Sequence, residues 1–172
     1  LLASSAASDV YKRQDTLWCA SNVQSVYEYG LMNGVSDSYF SVNGELTVIQ
    51  SIVMACRIHA NYYGNAIDTT DASVWYQPYV DYAKAHKLVW EADGAYNSPA
   101  RRETFVTIFS YAMPEEALKA INDVEDGAIP DVTVSTAYAQ SVYRFYRAGI
   151  LTGNDAKGTF GPQTTITLSL IH

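Results

Sequence analysis

Residues 146–160 read YRAGILTGNDAKGTF, the end of an amphipathic helix running into a loop punctuated by Gly149, Gly153 and Gly158. Residues 27–40, YEYGLMNGVSDSYF, share the layout: with Gly30 set on Gly149, Tyr27 falls on Tyr146, Leu31 on Ile150, Gly34 on Gly153 and Phe40 near Phe160. A recurring helix-to-loop unit marks a repeat architecture, in which neighbouring units complete each other's core.

The helix before each loop carries one apolar stripe. In 136–148 it is Val142, Phe145 and Tyr146, and in 17–29 it is Trp18, Val23, Val26 and Tyr27, near the i, i+3, i+4 spacing of a half-buried helix. A third version spans 74–88, where Trp75 and Val80 stand before Lys87 as Trp18 and Val23 stand before Gly30. A second helix follows each loop. Residues 47–62 open with Thr47 and Gln50 at capping-box spacing and turn Ile49, Ile52, Val53, Cys56 and Ala60 to one side. Residues 101–112 do the same with Phe105, Ile108, Phe109 and Ala112. Pro114 ends that helix, and Pro114 with Glu115 and Glu116 predicts a short extra helix to Ile121. Ile166 and Thr167 open the second helix of the last unit. Polar stretches at 61–73 and 122–131 separate the units.

A chain of 172 residues with 48% hydrophobic and 17% charged residues is globular and large enough for one real core. The net charge of −7, with no cluster of Lys and Arg, argues against a nucleic-acid partner or an anionic membrane surface. No apolar run reaches the roughly 18 residues that a membrane helix needs. Fourteen tyrosines and three tryptophans are more than a core requires and suit a surface that touches sugars or partners, while half-burial on helices accounts for many of them. Cys19 and Cys56 are read as buried thiols, with a disulfide between them as the alternative.

The two ends read differently from the rest. Residues 9–14, DVYKRQ, are what the mosaic-end adapter of transposase-based library preparation encodes, and residues 168–172, LSLIH, are what its opposite strand encodes. Residues 1–14 and 168–172 are therefore expected to be translated adapter, and the absence of a leader carries no information. The working division is 15–65, 66–127 with the extra helix, and a truncated 128–167.

Three such units, each with a glycine-spaced loop, a Thr-Phe or Tyr-Phe pair and Ile/Leu-Thr before a second helix, resemble the S-layer homology domain. IPDV at 129–132, AGILTGNDAKGTFGP at 148–162 and IT at 166–167 carry the resemblance most closely. It implies a mainly α fold of three helix-loop-helix repeats in a pseudo-threefold arrangement, with short extended segments in the loops. It also implies a non-catalytic module, outside the bacterial cell at its wall. Such a module binds secondary cell-wall polysaccharide, often pyruvylated, on peptidoglycan, and tethers a larger secreted protein whose partner domain is missing from this fragment.

A pyruvylated sugar presents a carboxylate and hydroxyls, which call for a planar cation, short polar side chains and an aromatic face. The motif arginine that the resemblance brings is replaced by Val48 in LTVIQ, and PARRE sets Arg101 on that position with Glu103 on the motif glutamate. Arg101, Glu103, Trp75, Asn154, Asp155 and Lys157 are the candidate glycan-binding residues. Each has a plainer role: Arg101 and Glu103 as a surface ion pair, Trp75 as a core anchor, and the loop residues as turn formers. His59 and His86 sit in different units without a third ligand, so no metal site is expected, nor a cofactor. No nucleophile elbow, placeable Ser/His/Asp set or phosphate loop is present, so no catalysis is expected. The rival functions are a packing role in a surface lattice without sugar binding, and a fragment of a glycan-active enzyme.

Overall fold

The computed structural model describes residues 20–33, 43–88 and 95–167. The readings at Trp18, Cys19, Gly34 and Phe40, and those for both ends, lie outside these residues. The protein is mainly helical: α1 (Ala20–Glu28), α2 (Val48–Tyr63), α3 (Gln77–Ala85), α4 (Arg102–Ala112) and α5 (Ala139–Arg147). Helix α2 packs on α3 and α4, and α4 packs on α5. Its buried Ile49, Ile52, Val53 and Met54 each contribute about 1.5–3 kcal/mol against exposure. Among the described residues no helix is long and apolar enough to cross a membrane.

Helix α2 begins as its sequence dictates. Thr47 Oγ1 accepts from the Gln50 N–H at 3.3 Å, and Gln50 Oε1 accepts from the Thr47 N–H at 2.9 Å, closing the capping box. The loops leave α1, α3 and α5 by one device, a left-handed residue at Gly30, Lys87 and Gly149 with φ of 65°, 58° and 71°. The next N–H reaches back to the last turn each time: Leu31 to Val26 O, Leu88 to Ala83 O and Ile150 to Phe145 O. Lys87 thus adopts the conformation for which its counterparts use glycine.

Three extended segments, at 45–47, 99–101 and 165–167, meet, the first two directly before α2 and α4. Isolated antiparallel bridges join Glu45 to Thr167, Thr47 to Pro99 and Arg101 to Thr165. The backbone bonds run in a ring: Leu46 N–H donates to Ile166 O (2.9 Å), Ile166 N–H to Ala100 O (3.0 Å), and Ala100 N–H to Leu46 O (2.7 Å). All three residues are buried, so the ring's polar groups satisfy one another inside the core.

Some elements differ from their sequence reading. Helix α3 starts at Gln77, not at 74, because Val74 O first closes a turn with the Gln77 N–H, and Pro78 then falls in the first helical turn, where it costs no hydrogen bond. Residues 115–118 form successive turns in place of the extra helix. Their bonds span three residues, and the N–H groups of Ile121 and Asn122 both go to Arg147 O at 2.8 Å, closing the end of α5 instead of extending a helix.

Candidate functional site

The ring fixes the register among its three segments. Ala100 takes the place of Leu46, so Arg101 stands with Thr47, and both cap a helix with extended backbone (φ −81°, ψ 155° and φ −83°, ψ 161°). The bonds beyond agree. Val48 and Ile49 donate to Ser98 O and Tyr96 O of the next loop, while Arg102 and Glu103 donate to Thr164 O and Pro162 O. The residue structurally equivalent to Val48 is therefore Arg102, one position beyond the residue that the spacing of PARRE selects, because the buried apolar place that Leu46 fills has to be filled by Ala100.

Arg102 is 7% exposed. Its Nε donates to Phe160 O at 2.9 Å and its guanidinium lies 5.1 Å from the centre of the Phe160 ring. Among the described residues its two terminal nitrogens make no hydrogen bond. Burial pulls its pKa down, opposed by Tyr146 and Asp131. The Asp131 carboxylate accepts from the N–H groups of Phe160 and Gly161, both at 2.7 Å, and so ties the segment before α5 to the loop after it. Tyr146 donates to Gly158 O at 3.4 Å, and burial pushes its pKa to about 12, so it stays a neutral donor. The N–H groups of Arg102 and Glu103 are already taken by Thr164 O and Pro162 O, so what this corner offers an anion is the guanidinium's terminal nitrogens and the positive dipole end of α4.

Arg101 lies exposed next to it. Its Nη1 donates to Gln163 Oε1 and stands 3.9 Å from Glu103 Oε1, and Gln163 Nε2 donates to Glu103 Oε2 at 2.8 Å. Arg101 and Glu103 are thus brought together with Gln163, a residue that the motif reading missed. Asn154 Nδ2 donates at 2.8 Å to Phe160 O, the carbonyl that Arg102 also uses. Asp155 accepts from the N–H groups of Thr159 (3.0 Å) and Lys157 (2.9 Å), bonds that hold its carboxyl below the usual range, Thr159 first. Both loop side chains thus bond their own loop; Lys157 stands exposed at its tip. Trp75 is 57% exposed and lines a separate cleft of about 220 Å³ with Gln50 and Arg57, so it does not join the Arg101 cluster. Asp131 lies in the IPDV motif, which gives it no role, while motif spacing passes over Arg102 and Gln163; the helix-cap register is the signal that finds Arg102.

The two histidines assigned to different units do meet. Their ring centres are 5.1 Å apart and His59 Nδ1 bonds the Tyr82 hydroxyl at 2.8 Å. Among the described residues no group of three or more His, Cys, Asp or Glu is arranged to hold a metal. Cys56 is a free buried thiol that donates to Tyr79 O at 3.3 Å, and burial pushes its pKa up to about 12, so it is inert.

No curated protein matches the chain. The unit that holds Asp131, Asn154 and Phe160 has a recognisable relative: residues 128–168 match the family model of the S-layer homology domain.

Proposed function

We propose that this chain is a non-catalytic anchoring module of three S-layer homology units closed in a pseudo-threefold arrangement, which binds an acidic secondary cell-wall polysaccharide on peptidoglycan and tethers a larger secreted protein to the bacterial surface. Domains of this family are generally cell-wall anchoring modules. The threefold arrangement is supported by the ring of bonds through Leu46, Ala100 and Ile166 and by the shared closure at Gly30, Lys87 and Gly149. The unit boundaries we adopt are 15–65, 66–127 and 128–167.

The observation that carries the binding reading is Arg102, a nearly buried cation at a helix start whose terminal N–H groups have no protein acceptor among the described residues. A pyruvyl carboxylate fits it, because a fork of N–H donors beside a helix N-terminus recognises a planar anion. Arg101 and Lys157 add positive charge at the rim, Glu103 holds Arg101, and Asn154 and Asp155 keep the loop in shape. Trp75 offers an aromatic face in the separate cleft beside Gln50 and Arg57.

Cosedimentation tests the proposal. The protein pellets with sacculi that keep their secondary polymer and stays in the supernatant once acid has stripped that polymer. Equal pelleting with both removes the polymer as ligand, and release of soluble glycan fragments gives the enzymatic rival the case.

A further inference from the structure

Helices α2 and α3 pack together, and each brings a histidine to its C-terminal end: His59 in the last turns of α2, His86 at the cap that follows α3. Their ring centres stand 5.1 Å apart. We infer that the pair binds one late divalent transition-metal ion, of the zinc and copper class, which clips α2 to α3. None of the residues of the Arg102 corner takes part, so this binding is independent of the polysaccharide reading.

An ion bound to imidazole nitrogen at about 2.0–2.1 Å lies roughly 3.2 Å from the ring centre, so two rings on one tetrahedral ion have centres roughly 5 Å apart. The His59 and His86 rings meet that spacing, and their planes are inclined at 54° instead of stacking face to face. His59 is fixed from behind. Its Nδ1 lies 2.8 Å from the Tyr82 hydroxyl, whose oxygen also accepts from Asn65 Nδ2 at 3.1 Å. With its proton on Nδ1, His59 donates to that oxygen and offers a bare Nε2, the arrangement of a metal-bound histidine whose other nitrogen is held by an outer partner. Tyr63 and Tyr82 flank the ring, with centres at 4.5 and 5.7 Å.

His86 is the adjustable partner. It is exposed, rests on the Tyr82 ring at 4.2 Å, and its ring nitrogens make no hydrogen bond among the described residues. An exposed side chain changes rotamer within nanoseconds, so it can turn a nitrogen to the ion. Among the described residues no third His, Cys, Asp or Glu completes a cluster with the pair. The ligands are then two imidazoles and water, a set that suits zinc, copper and nickel, tightest for copper(II), and not the oxygen-seeking magnesium and calcium. Two protein ligands leave the ion exchangeable, unlike the four of a closed structural site. A clip between residues 59 and 86 closes the chain that joins α2 to α3 and so strengthens their packing.

The test titrates the full chain with Zn²⁺, Cu²⁺ and Mg²⁺ in a non-chelating buffer at about pH 7.5. One equivalent of zinc and of copper binds, copper the tighter, and magnesium does not. Zinc at about a hundred times its dissociation constant raises the melting point by roughly 5–10 °C. The frozen-solution spectrum of the copper form carries hyperfine splitting from two nitrogens. Tyr82→Phe, which removes only the outer partner, weakens zinc binding about tenfold, and His86→Ala weakens it at least as much. His86→Ala removes an exposed side chain and melts with the parent in the presence of a chelator; should it melt lower, Tyr82→Phe and the copper spectrum decide. His172→Ala, at a histidine outside the described residues, leaves the affinity unchanged. Full zinc binding by His86→Ala or Tyr82→Phe, loss of it in His172→Ala, equal uptake of magnesium, or a melting point that zinc does not move overturns the site and leaves scattered surface chelation.

Discussion

Exchanging Arg102 for methionine keeps the apolar stem of the side chain and removes its charge, its Nε bond to Phe160 O and its contact with the Phe160 ring. The bond involves a charged donor and contributes about 1.5–3 kcal/mol, and the ring contact roughly 1–2 kcal/mol. Against these stands the relief of a desolvated cation that among the described residues has no carboxylate within ion-pair distance, a cost of several kcal/mol. Phe160 O is not orphaned, because Asn154 Nδ2 still donates to it. The terms nearly cancel, so the folded state survives with a change of about 1 kcal/mol in either direction. Binding has no such compensation. Loss of a charge-assisted bond to a buried carboxylate costs about 1.5–3 kcal/mol, roughly a 10- to 150-fold weaker dissociation constant. The companion Arg101→Met removes an exposed group already shared with Gln163 and Glu103 and costs under about 1 kcal/mol. Binding isotherms on polymer-bearing sacculi, with thermal melts of each variant, read both quantities. An Arg102→Met protein that melts normally and binds at full strength, while Arg101→Met binds poorly, would refute the register drawn from the ring.

Other perturbations follow from single residues. Lys87→Gly relieves a left-handed lysine and raises stability by about 1 kcal/mol, a melting-point rise of roughly 2–4 °C in calorimetry. Gly153→Ala introduces a Cβ 2.7 Å from Gly158 Cα at φ 88°; strain and overpacking together cost roughly 3 kcal/mol, and the melting point falls by about 6–12 °C. A drop of under a degree would mean that the loop opens freely. His59 is held below its ordinary value of 6.5, first by burial and then by the charge of His86, so the unfolded chain takes up the proton more readily. Stability is therefore full above about pH 6.5 and declines as pH falls through that value toward the lowered folded one. Urea midpoints at pH 7.5 and 5 show the fall, and His59→Asn shrinks it.

What could be read beforehand was whatever one segment decides alone. Thr47 and Gln50 announce the start of α2 because both halves of the capping box lie within four residues, and Gly30 and Gly149 announce helix ends because glycine alone is unstrained there. Lys87 gives no such signal, since nothing in a lysine favours the left-handed backbone from which the buried Leu88 donates to Ala83 O. The exchange of Arg101 for Arg102 has a longer reach: only the bonds linking 46, 100 and 166 say which alanine or leucine is equivalent. The meeting of His59 with His86 across two units and the diversion of the Ile121 and Asn122 N–H groups to Arg147 are of the same kind, set by tertiary partners that spacing does not reveal.

The ring of Leu46, Ala100 and Ile166 also bears on how the chain reaches its structure. Each member donates to one partner and accepts from another, so two segments without the third leave a buried donor and a buried acceptor unmatched. During synthesis Leu46 and Ala100 emerge long before Ile166, and until it arrives the starts of α2 and α4 lack their closing bond. Assembly is then a late event, governed by closure over most of the chain's length and slowed by that separation, in place of three independent local steps.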